Sequence, residues 1–251
     1  MKKLILRCDD YGSATGANEA YLRLADTGLK FNASILTVGP SAKENLELLS
    51  RKAPHIALGI HAAVNAEWDH VKWGPVGDLK RARESGLVDQ NGHFHSNPNQ
   101  LKEVPPEVVL DEVRAQIRRA LDWGVPFSYL DEHMVFSWVQ NLREPLAAVA
   151  REFGLIYRPE LPHPKSGKTD DGLIANWRLG MQAMDNQPHV MVTHPVIDDE
   201  STRTFYKAPG GPGSISRERQ AEFDALTSAE WREMLAQEEI ELITYRDVAV
   251  V

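Results

Sequence analysis

Two adjacent carboxylates, Asp9 and Asp10, follow the mostly apolar run Leu4-Ile5-Leu6-Arg7-Cys8 and lead into Tyr11-Gly12. A carboxylate pair at the end of a buried strand suits two roles, one oxygen ligand for a metal and one free general base. Side chains alternate along a strand, so the pair can serve one pocket only where the chain leaves the pleat. The bland alternative is a solvated turn, which favours Asp for its local hydrogen bonds. Further along, three of the nine histidines stand just after short apolar runs. His61 ends His55–His61, His133 follows Phe127–Leu130 and Asp131-Glu132, and His194 follows His189–Thr193. Arg158 follows Leu155-Ile156-Tyr157 in the same way.

Asp10, His61 and His133 form a set of two imidazoles and one carboxylate. That mix suits one divalent metal ion, zinc or magnesium, with positions left for water and substrate. Asp9 is then free to take a proton from the attacking water, and His194 to give one to the leaving group. Arg158 could orient Asp9 or pair with an anionic intermediate. Asp131 could fix an imidazole from behind or meet the substrate. Trp68 and Trp73 offer flat apolar faces on which a sugar ring can stack, or else they are buried beneath their loop. Each histidine alone reads more readily as a hydrogen-bonded structural residue; the repeated placement after strands is what favours a site. His93 and His95 read as part of a surface hairpin, His55 falls at the opposite end of the barrel with no role, and His70, His163 and His189 lack partners in sequence.

The elements that must position these groups alternate. Strands at about 3–8, 31–37, 55–61, 127–130, 155–157, 189–193 and 241–244 are separated by helices near 14–27, 41–52, 107–123, 138–153, 171–185 and 216–238. Ser13 is the expected N-cap of the first helix, and the last helix has a potential break near Thr227. This order predicts an α/β fold, a distorted (β/α) barrel of about seven parallel strands whose carboxyl ends open on one face. Residues 62–106 lack a pattern, so they read as a long functional loop insertion, with a hairpin turn at Asn91-Gly92. The 251 residues fit a single domain.

A formal charge of -8 argues against nucleic acid or anionic membranes as partners. Cys8 is the one cysteine, so there is no internal disulfide framework, and a reducing compartment fits. The N-terminal apolar run is too short for a signal peptide or a span, which leaves a cytoplasmic location as the default. The oligomeric state is open, a homodimer included.

Five short motifs occur in register: Leu4–Gly12 ending in Asp-Asp-Tyr-Gly; Gly59-Ile60-His61; Leu130-Asp131-Glu132-His133-Met134; Thr193-His194-Pro195; and Glu241–Arg246. In this order the chain resembles the YdjC-like carbohydrate deacetylases. The resemblance implies a barrel of the polysaccharide-deacetylase type, a divalent metal, and removal of acetyl groups from N-acetylated small sugars. It implies Asp10, His61 and His133 as metal ligands, Asp9 as base and His194 as acid. Arg158-Pro159 resembles the arginine motif of the wider deacetylase group. Many relatives carry a second His where this chain has Val135, so its sugar contacts are expected to differ there. A different metal hydrolase on the same barrel, an amidase or a phosphoesterase, and a non-catalytic sugar-binding protein are the rival readings.

Overall fold

In the computed structural model, which describes residues 1–165 and 167–248, six strands form one sheet in which every pairing between strands is parallel. In chain order they are β1 (Lys2–Tyr11), β2 (Asn32–Ile35), β3 (Ala57–Ala62), β4 (Phe127–Glu132), β5 (His189–Thr193) and β6 (Ile240–Ile243). The helices are α1 (Thr15–Asp26), α2 (Leu46–Lys52), α3 (Leu79–Glu84), α4 (Pro106–Leu121), α5 (Arg143–Glu152), α6 (Leu173–Gln182), α7 (Ser214–Thr227) and α8 (Ala229–Gln237). The sheet order is β4-β3-β2-β1-β5, with β6 also on β1.

β6 and β2 share one flank of β1. β6 pairs with Lys2–Ile5, and β2 takes over from Arg7. Asn32 covers the join: its side-chain amide donates to the Leu6 and Ile243 carbonyls, and its Oδ1 accepts from the Tyr245 N–H.

The seventh expected strand is reduced to a bridge. Ile156 pairs with Tyr129 of β4, and the Val190 N–H of β5 donates to the Pro162 carbonyl. Residues 155–162 thus lie across the gap between β4 and β5 without forming a ladder. The curled sheet buries Ile5, Ala57, Tyr129, Val190, Ile243 and Tyr245 in a small interior cluster. Two larger apolar clusters occupy the other faces of the sheet and the helices around it. Helix α4 illustrates why these elements form. Val109, Val113, Ile117 and Ala120 fall on one stripe and are fully buried.

Gly59 is required by packing. A Cβ there would lie 2.1 Å from the Tyr129 ring, whose hydroxyl is hydrogen-bonded to Ser34 Oγ at 2.8 Å. The Ser13 cap is not used. Ser13 Oγ donates instead to the Asp10 carbonyl, and α1 starts without a side-chain cap. The expected final helix is two helices, with Ser228 capping α8 through the Trp231 N–H. The long segment after β3 holds α3 and the Val88–Phe94 hairpin, in which Gly92 takes a positive φ. Among the described residues, no helix is long and apolar enough to cross a membrane.

Candidate active site

The period of two along each strand builds the site in layers. On β1, Ile5, Arg7 and Asp9 share the inner face, as do Gly59 and His61 on β3 and Tyr129 and Asp131 on β4. The lower inner layer is apolar and the upper one is charged. β1 does not stop before the carboxylates but runs through Tyr11, with a register irregularity between Cys8 and Tyr11. Asp10 adopts φ 75°, a left-handed backbone that non-glycine residues seldom take. That twist turns Asp10 into the pocket already occupied by Asp9. Strained backbone of this kind is held by its surroundings and collects at functional sites.

Asp10, His61 and His133 converge. His61 Nε2 lies 3.2 Å from His133 Nδ1 and 3.4 Å from Asp10 Oδ1, and His133 Nδ1 lies 3.2 Å from Asp10 Oδ1. Ligands about 2.0–2.1 Å from a tetrahedral zinc stand about 3.3 Å apart, so these spacings match one face of a coordination shell. The outer ring nitrogens both face carboxylates: His61 Nδ1 meets Asp131 Oδ1 at 2.9 Å, and His133 Nε2 meets Glu67 Oε2 at 2.8 Å. Those partners place the outer nitrogens as N–H donors and turn the inner lone pairs toward Asp10. Asp10 Oδ1 is buried and receives no hydrogen bond. Two lone pairs and an unpartnered carboxylate oxygen meeting in a buried place fit a divalent cation. Asp9, His61 and Asp131 also lie close together, but that grouping uses the outer nitrogen of His61.

The electrostatics agree. Burial alone would lower the His133 imidazole, yet Glu67 and Asp10 lift it to about 9. His61 is likewise lowered by burial and raised above its usual range, chiefly by Asp131 and Asp9. Burial would raise Asp10, but Arg219 and His133 hold it well below the usual carboxylate range. The field at this point therefore favours positive charge. His194 is different: burial, then Arg219, push it down to about 4.

Asp9 is gripped by Arg7, not by Arg158. Arg7 Nε donates to Asp9 Oδ1 and Nη2 to Oδ2, both at 2.8 Å, and Nε also lies 3.0 Å from Asp131 Oδ2. Arg158 sits on the cavity wall and pairs with Glu160 at 3.4 Å. Orienting Asp9 is therefore corrected from Arg158 to Arg7, whose rigid fork starts two residues away on the same strand face. Asp131 is occupied by His61, Arg7 and Ser34 Oγ, so it supports an imidazole. Trp68 lines the cavity, but Trp73 does not. Trp73 is buried with its Nε1–H on the Asn65 carbonyl and its ring edge-on to His133. A stacking role for Trp73 is corrected accordingly. Glu67, Arg7 and Arg219 escaped sequence reasoning; only Arg7 left a signal, a charge two residues before Asp9 in an apolar strand.

These groups surround one cavity of about 460 Å³ that also exposes Leu130, Met134, Val135, Tyr157, Pro159 and Val192. His194 reaches it from just beyond β5, where its backbone N–H donates to Glu222 of α7.

Residues 3–178 match the family described as YdjC-like protein. The chain belongs to the YdjC-like family. It is 25% identical over 262 residues to a protein of Listeria monocytogenes serotype 4a (strain HCC23) named carbohydrate deacetylase, covering 98% of this chain and 100% of that one. A Brevibacillus brevis protein of the same name is 23% identical over 264 residues, covering 98% and 99%. Among solved structures, this YdjC-like chain is similar to an Enterococcus faecalis V583 protein described as a candidate for cellobiose-phosphate cleavage. The TM-score is 0.79 and the identity 20%, over 99% of each chain. A Streptococcus mutans CE4 esterase superposes with a TM-score of 0.54 and 12% identity, over 97% of this chain and 85% of the other. These likenesses show a shared fold, a curled parallel sheet flanked by helices.

Proposed function

We propose that this YdjC-like protein is a divalent-metal-dependent hydrolase that removes the acetyl group from an N-acetylated sugar or short oligosaccharide, working as one domain. The observation that carries this is the convergence of Asp10 Oδ1, His61 Nε2 and His133 Nδ1 within 3.4 Å, in a cavity shared with Asp9 and His194. The names of the relatives agree with it. Asp10, His61 and His133 would hold the ion, which when bound polarises an acyl carbonyl and makes water more acidic. The two imidazoles suit zinc, and the carboxylate also admits magnesium.

The chain supplies the rest. Arg7 fixes both Asp9 oxygens, so the carboxylate keeps its aim and an oxygen lone pair for the proton of the attacking water. His194, lowered to about 4, is neutral at pH 7, so it draws a proton from solvent as negative charge builds beside it and passes that proton to the sugar amine. That ties proton delivery to the tetrahedral oxyanion and so to departure of the sugar amine. The proton Asp9 takes from the attacking water is afterwards returned to solvent. The products are acetate and the free amino sugar. Trp68, Tyr157 and Arg158 line the room for the ring. A phosphoesterase is disfavoured because Arg7 and Arg219 are committed to Asp9, Asp131 and Asp10.

The test is acetate release from a panel of N-acetylated mono- and oligosaccharides. We expect release that a chelator abolishes and zinc or magnesium restores. Hydrolysis of aryl phosphates without acetate release would overturn the reading.

A further inference from the structure

Arg219 stands on α7, far in sequence from the metal-binding trio, and its guanidinium reaches Asp10. Nη1 lies 3.0 Å from Asp10 Oδ2, a charge contact whose angle is not that of a hydrogen bond. The guanidinium is packed from behind. Trp68 and Phe205 stack with centroids 5.9 Å apart and planes at 22°, and the Arg219 carbon lies 5.4 and 5.8 Å from their ring centres. Trp68 comes from the segment after β3 and Phe205 from the segment after β5, so two loops hold one arginine. One turn on, Glu222 accepts from the His194 N–H. The same face of α7 therefore contacts both the Asp10 carboxylate and the backbone of the proton donor.

We propose that Arg219 is a positioning residue that limits Asp10 to one metal-facing oxygen. The guanidinium takes up Oδ2 and leaves Oδ1 as the donor toward His61 and His133. This rests on the metal-dependent reading above. A carboxylate bound through both oxygens would fill a position needed by water or substrate, and its full charge would blunt the ion as an electrophile. Arg219 gives up some metal affinity for an open, more electrophilic site, because its own positive charge opposes the cation.

The test is calorimetric titration of zinc into chelator-stripped full-length protein, alongside acetate-release kinetics. Arg219→Ala removes a competing charge, so zinc should bind about tenfold more tightly while kcat falls at least about tenfold with KM little changed. A residue that merely held the fold would weaken zinc binding instead. Arg219→Lys keeps the charge without the planar stack, and its zinc affinity should stay within about threefold of wild type. If Arg219→Ala does not fold, Phe205→Leu loosens the stack and should tighten zinc in the same direction, by less. Wild-type protein that binds no zinc and no magnesium would sink the metal-dependent reading itself. Wild-type zinc binding with unchanged or weakened affinity in Arg219→Ala and Phe205→Leu would overturn the role of Arg219 alone.

Discussion

Asp9 and Asp10 are neighbours with different surroundings. Asp9 is held at both oxygens by the Arg7 fork, while Asp10 keeps one oxygen without a donor. Asp9→Asn preserves shape but not basicity, so kcat should fall by about a hundredfold or more while zinc content, measured by elemental analysis, is retained. His61→Ala removes a donor, and metal content should be lost. The pH profile follows from His194. Burial and Arg219 lower it to about 4, so the imidazole is cationic only below that value and neutral above it. kcat/KM reports ionisations of the free enzyme. Its profile should therefore lack an alkaline limb near the usual histidine value, with any His194 contribution confined to the acid side. A limb near 6.5 that disappears in His194→Gln would contradict this.

At the scale of elements, the layers inside the sheet make strong demands. Tyr129 is fully buried, hydrogen-bonded to Ser34 and in ring contact with Tyr245 at 4.4 Å, so it cannot retreat from a side chain at residue 59. Gly59→Ala should cost roughly 3 kcal/mol by overpacking, read as a lower denaturation midpoint in urea. Much of this organisation was legible in advance. Strand ends carry Asp10, His61, His133 and His194 because apolar runs and turn residues mark where strands stop. At 155–157 the pattern suggests one strand too many, because three apolar residues cannot distinguish a strand from a single bridge. Glu67 and Arg219 left no local signal. One lies in a loop of irregular composition and the other on a polar helix, and their partners are set by tertiary packing alone.

For the whole molecule, the trio draws donors from β1, from β3 and from just beyond β4. A bound ion would thus bridge segments that begin far apart in sequence. Zinc at about 100 times its dissociation constant should add roughly 2.7 kcal/mol. For a chain of this size that raises the melting temperature by about 5–10 °C. Calorimetric scans with zinc and with chelator check it, and identical scans would argue against a native-state site. The matched family stretch ends at residue 178, yet His194 and Arg219 lie beyond it. Activity should therefore need the C-terminal third of the chain.

The join at Asn32 has a further consequence. One side-chain amide ties the last strand to the second and to the first, directly under the charged layer. Replacing it with leucine would unbutton the floor of the catalytic chamber from below. Turnover would then degrade through loosened alignment, although no group that lines the cavity had been altered.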